Sequence, residues 1–147
     1  MIGLGPSPGR PAAPLPIGIN LALLLLRLVL AAVFGAYGYA KWAGGMDRLV
    51  GLFMTVHIPV PNVSAHAVAT LEVGGAMLLV LGIATRLVGI LLAIEMLVAI
   101  TTVVWRQGFL GGYAFELTLL TVGLALAVAG GGAYSIPIPV RRRSNAT

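Results

Sequence analysis

Apolar residues in this chain come in four long blocks rather than in alternation. The blocks lie near residues 19–42, 64–84, 86–105 and 113–129, and each is about 20 residues long, the length that spans a bilayer as an α-helix. Between the first two blocks the pattern changes. Met46 to Phe53 is too short to span, and Pro59 and Pro61 stop it. The pattern predicts an all-α integral membrane protein. Four transmembrane helices form a bundle, with a short interfacial or re-entrant helix between helices 1 and 2.

The segments outside the blocks complete the layout. Residues 1–18 carry Pro6, Pro8, Pro11, Pro14 and Pro16 and read as an extended, Pro-rich tail rather than a cleavable leader. The membrane domain runs over 19–135, and a basic tail over 136–147. Ser64 is the expected N-cap of helix 2. A tight turn is expected at Ala84, Thr85 and Arg86.

Composition removes the alternatives to a membrane chain. Of 147 residues, 59% are hydrophobic and 9% charged, against about 25% charged in soluble domains. The net charge of +5 does not point to nucleic acid, because the basic residues sit at helix ends and in the tail. Arg10, Arg86 and Arg141 to Arg143 fall on one side, and Lys41, Arg48 and Arg106 on the other. This bias predicts a multi-pass protein of the bacterial cytoplasmic (inner) membrane with both termini cytoplasmic. The chain contains no cysteine, so it offers no thiolate and no iron–sulfur ligand.

A few ionisable residues interrupt the apolar blocks, and such residues usually meet a partner or a cavity. Arg27 lies about 15 Å from the inner end of helix 1 and Glu95 about 12 Å from the inner end of helix 3. That match predicts a structural ion pair. Glu72, Glu116 and Lys41 are expected nearer the outer side as a polar pocket or proton relay, with Tyr37 and Tyr113 beside them and Arg106 in reach. Trp42, Trp105, Arg106 and His66 are candidate cofactor contacts, although such aromatics also form interfacial belts. His57 and His66 lack a third ligand, so no metal site is expected. A faint internal echo pairs Arg27-Leu28-Val29 with Arg86-Leu87-Val88 and Leu71-Glu72 with Phe115-Glu116.

Several of these pieces together resemble the DoxX family of small bacterial four-helix membrane proteins. They are Leu25-Leu26-Arg27-Leu28 with Phe34, Gly38 and Lys41, then Leu71-Glu72-Val73-Gly74-Gly75. Leu81-Gly82-Ile83-Ala84-Thr85-Arg86-Leu87 and Tyr113 with Phe115-Glu116 complete the match. It runs from Leu21 to Ser135. Helix 1 departs in having Tyr37-Gly38 where many relatives have His-Gly. The resemblance implies a membrane subunit of an oxidoreductase complex, quinone-linked or concerned with thiol and oxidative stress. No cofactor is expected from the chain itself, and a quinone or lipid is the candidate bound group. Expected partners are membrane lipids and other redox subunits, or further copies of the chain. Two other functions fit the same residues: an accessory or assembly subunit with purely structural charges, and a small proton-coupled carrier.

Overall fold

The computed structural model describes residues 15–136. The described part is entirely helical, and four of its helical stretches are long and apolar enough to cross a membrane. The Pro-rich tail up to residue 14 and the basic tail from residue 137, including Arg141 to Arg143, lie outside the described residues.

The first span, α1, covers Ile17–Ala40, about 36 Å at 1.5 Å per residue. It runs on through a widened turn, Lys41–Gly45, into the short helix α2, Met46–Thr55. Gly44, at φ 138°, supplies the bend between them. The short helix therefore continues the first span and packs against the next one, where its Phe53 is buried.

The second span, α3, covers Pro61–Leu81. It starts three residues before the expected N-cap. Proline fits the first helical position because its missing N–H would have no intrahelical acceptor there. Ser64 is thus inside the helix and caps nothing; its hydroxyl donates back to the Pro59 carbonyl at 2.7 Å. At the other end Gly82 adopts φ 71°, and the Gly82 and Ile83 N–H groups donate to Leu79 and Leu78. This is the glycine stop expected of a helix C-terminus. The turn consequently spans Gly82 to Ala84, two residues earlier than the sequence suggests.

The third span begins as α4, Thr85–Ala99, continues through a widened turn, Ile100–Val104, and closes with one tight turn, Trp105–Gln107. Gly108 and the bend at Leu110 to Gly112 reverse the chain into α5, Ala114–Ala129.

Packing is tightest within two antiparallel pairs, α1 with α3 and α4 with α5. Glycine makes both approaches possible. A Cβ on Gly38 would sit 2.9 Å from the Glu72 Cβ and 3.0 Å from the Val73 backbone nitrogen. One on Gly89 would sit 2.7 Å from the Gly123 carbonyl oxygen. Small residues let helices approach closely in a bilayer, where lipid offers no hydrophobic drive for association. The core between the pairs is built from Leu30, Phe34, Leu79, Leu92 and Leu126, each at most 2% exposed. Most other large apolar side chains point outward, as lipid-facing residues do.

Candidate functional site

A cavity of about 600 Å3 opens between the two helix pairs. Its walls are mostly apolar, contributed by α1, α2, α3, α4 and α5. Four ionisable side chains reach it: Lys41, Glu72, Glu95 and Glu116. Tyr37 lines it as well, with its ring 6.0 Å from that of Phe115.

Helix geometry explains why these residues meet. Glu72 stands ten residues before Gly82 and Glu95 ten after Thr85. Antiparallel helices sharing a tight turn place such residues at equal height, about 15 Å from the turn. The Glu95 carboxyl accordingly lies beside that of Glu72 and within electrostatic reach of Lys41. Gly38 brings α1 against Glu72, and Lys41 follows one turn later, just past the end of α1. Glu116 enters from the first turn of α5.

The Lys41 ammonium donates to Glu72 Oε1, forming an ion pair. The Glu72 side chain is 3% exposed and that of Lys41 21%. The second oxygens of all three glutamates, Oε2 in each, are buried without a hydrogen-bond partner. Buried polar atoms nearly always have partners, so three unpartnered acceptors on one cavity mark it as a candidate site.

Arg27 does something other than expected. It is 1% exposed, yet forms no salt bridge with Glu95. Its guanidinium donates to four carbonyls instead. Nε reaches Leu79 at 2.9 Å, and Nη2 reaches Val80 at 3.3 Å. Nη1 reaches Gly131 at 2.8 Å and Tyr134 at 3.0 Å. Helix α3 ends at Leu81, so its last carbonyls lack intrahelical donors and present the negative end of the helix dipole. The segment after α5 folds back to supply the other two acceptors. Asn20 ties the same segment down, accepting from the Ala133 N–H at 2.9 Å.

The remaining candidates lie away from the cavity lining. Tyr113 stacks on Trp105, centroids 5.3 Å apart, and meets Phe109 edge-on at 5.5 Å. His66 donates through Nδ1 to the Asn62 carbonyl at 2.8 Å and stands edge-on to Trp42 at 5.5 Å. Arg106 is exposed. His57 is exposed in the link between α2 and α3 at φ 58°. Among the described residues, no three His, Cys, Asp or Glu side chains converge as metal ligands would. The structure thus joins Glu72, Glu116, Lys41 and Tyr37, adds Glu95, and leaves Tyr113, Arg106, His66, Trp42 and Trp105 elsewhere.

Comparison with known proteins adds a family. The family model described as DoxX matches residues 22–105. Over 111 residues the chain is 33% identical to a protein of Bacillus subtilis (strain 168) named "Putative oxidoreductase CatD", covering 76% of this chain and 81% of that relative. No solved structure matches the chain.

Proposed function

The chain belongs to the DoxX family, and from that premise we propose that it is the membrane-embedded subunit of an oxidoreductase system whose cavity receives the headgroup of a quinone substrate. The observation that carries this reading is the lining of the cavity. Apolar walls surround one ammonium, one phenol and three orphaned carboxyl oxygens. At about 600 Å3 the cavity is in the range of small-molecule sites.

A quinone ring is apolar and carries carbonyl acceptors, so it suits walls of this kind with a few convergent donors. Bound there, it supplies a two-electron, two-proton acceptor. Lys41 and Tyr37 would orient the ring by donating to a carbonyl. Glu72 would hold the Lys41 ammonium in place, and the other carboxyls would handle protons. The chain has no cysteine, so thiol chemistry would come from another protein. Electrons would arrive from a partner subunit carrying a flavin, a metal or a reactive thiol. The name of the Bacillus relative, "Putative oxidoreductase CatD", is in keeping with the redox assignment. The same reading puts the protein in the bacterial cytoplasmic membrane with both termini inside, in keeping with Arg10, Arg86 and Arg141 to Arg143 on one side.

The test is purification from native membranes in mild detergent, followed by mass spectrometry of extracted lipids and co-purifying proteins. Wild-type protein should retain quinone and a redox partner. Glu72→Gln should lower quinone retention by about tenfold, the value of one charge-assisted interaction. Quinone-free wild-type protein, together with unchanged quinone reduction by Glu72→Gln membranes, would refute the reading.

A further inference from the structure

The cavity is not closed on every side. Toward α1 and α5 the rings of Tyr37 and Phe115 meet across it, 6.0 Å apart. At the end nearest Lys41 the short helix α2 lays Leu49, Leu52 and Phe53 against it. Toward α3 and α4 the lining is exposed, with Ala67 on one helix and Leu91, Ile94 and Val98 on the other. These two helices share a turn, yet they pack less closely than the helices of either pair. The cavity therefore opens sideways between α3 and α4, at a height where the surroundings are lipid.

A groove of about 740 Å3 continues from this opening along the outward face of α3. Ala67 and Leu71 belong to both linings, so the two spaces join there. The groove runs from Asn62 to Leu78, about 24 Å along the helix. Its polar side chains are already engaged within α3. The Thr70 hydroxyl donates to the His66 carbonyl at 2.7 Å, and His66 Nδ1 meets the Asn62 carbonyl at 2.8 Å. Such a groove suits an apolar chain. Its floor includes Gly74, where an added Cβ would meet nothing within 4 Å. Glycine weakens a helix interior, and no other part of the described chain uses the space it leaves.

The cavity end of this path carries its own sign of a ligand. The Glu72 side chain is 3% exposed, and its Oε2 has no hydrogen-bond partner. A polar recess joined to an apolar groove fits one molecule with a polar head and a long apolar chain.

We propose that the site takes a quinone with a long polyprenyl chain. The molecule enters sideways from the bilayer, sets its ring in the cavity and lays its chain in the α3 groove past Ala67 and Leu71. This rests on the quinone reading above and adds the tail, its path and the entrance. Length favours such a chain over that of a phospholipid. The groove, at about 24 Å, is longer than one leaflet, which is half of a hydrocarbon core about 30 Å thick, and a phospholipid chain stays within its own leaflet.

The test uses the purified full chain in lipid nanodiscs and two quinones with the same ring, one with a long polyprenyl chain and one with a methyl group in its place. Bound quinone is quantified by chromatography against empty discs at matched mole fraction in the lipid. Wild type should bind both. Gly74→Leu should bind the short-chain quinone as wild type does and the long-chain quinone about tenfold more weakly, the lower end of what one misplaced methylene costs in an apolar site. Thr70→Phe, also in the groove and outside the cavity lining, should act alike. Leucine is favoured over glycine inside a helix, so Gly74→Leu should unfold no earlier than wild type. Equal losses for both quinones, or no loss for either, overturn the groove and leave the quinone reading standing. Failure of wild type to bind either quinone removes both. Light scattering that finds an oligomer in wild type and a monomer in Gly74→Leu assigns the groove to a second copy of the chain and overturns the proposal.

Discussion

Arg27→Met tests whether the buried guanidinium is a backbone clamp or half of an ion pair. Methionine keeps an unbranched apolar side chain and removes every donor. Four carbonyls then lose a hydrogen bond: Leu79, Val80, Gly131 and Tyr134. Leu79 keeps the bond from the Gly82 N–H, and Val80 and Tyr134 are residues that are each 53% exposed. That leaves the Gly131 carbonyl to bear most of the loss. At ~1–3 kcal/mol for an acceptor left unsatisfied, the substitution should destabilise the bundle by at least ~1–3 kcal/mol. Reversible unfolding in mixed detergent micelles, followed by circular dichroism, measures this. Arg27→Lys should recover less than half, because a single ammonium cannot reproduce the planar fork that reaches four acceptors. The decisive comparison is a double-mutant cycle with Glu95→Gln. A clamp on carbonyls predicts additive losses, with a coupling below ~0.5 kcal/mol. A coupling of several kcal/mol, or an Arg27→Met variant as stable as wild type, would refute the clamp.

The same unfolding assay checks three further expectations. Lys41→Met strands the buried Glu72 carboxylate and should cost ~3–5 kcal/mol, with Glu72→Gln added to it restoring more than half; additive losses would mean that the pair is not coupled. Gly38→Ala places a methyl 2.8 Å from the Val73 Cγ2 and 3.0 Å from the Val73 nitrogen, so α1 must move off α3 at ~1–3 kcal/mol, and an unchanged midpoint would contradict the close approach. Ala84→Gly relieves a left-handed residue at φ 50° and should stabilise the turn by about 1 kcal/mol, whereas a loss would mean that the Ala84 conformation carries little strain.

The spans were legible because each is a block of apolar residues of bilayer length, and hydropathy does not depend on tertiary detail. The grouping of Lys41, Glu72, Glu116 and Tyr37 was legible for a related reason. Straight helices convert residue number into depth. Glu95 meets Glu72 rather than Arg27, because depth counted along one helix does not reveal which residue stands across the turn. Counting outward from their shared turn at Gly82 to Ala84 gives both the same height. Arg27 was harder to read. Its partners are carbonyl oxygens, which every residue carries, so no side-chain pattern marks them. The one available cue was the run Gly130-Gly131-Gly132, where chain without bulky side chains can press against α1. Tyr113 was misplaced because it stands one residue ahead of α5, beyond the bend at Gly111 and Gly112, and so joins Trp105 and Phe109 rather than the cavity.

The clamp around Arg27 also sets the order in which the protein is completed. The arginine enters the membrane with the first span, but two of its four acceptors lie 104 and 107 residues further along the chain. At the usual pace of synthesis that is an interval of about 5–20 s. Throughout it, the nascent first span must sit beside water, the insertion machinery or the newly arrived end of α3. Residues 131–134 then act as the latch of assembly. A chain truncated before them would insert all four spans and still lack the closure that lets the arginine leave its temporary shelter.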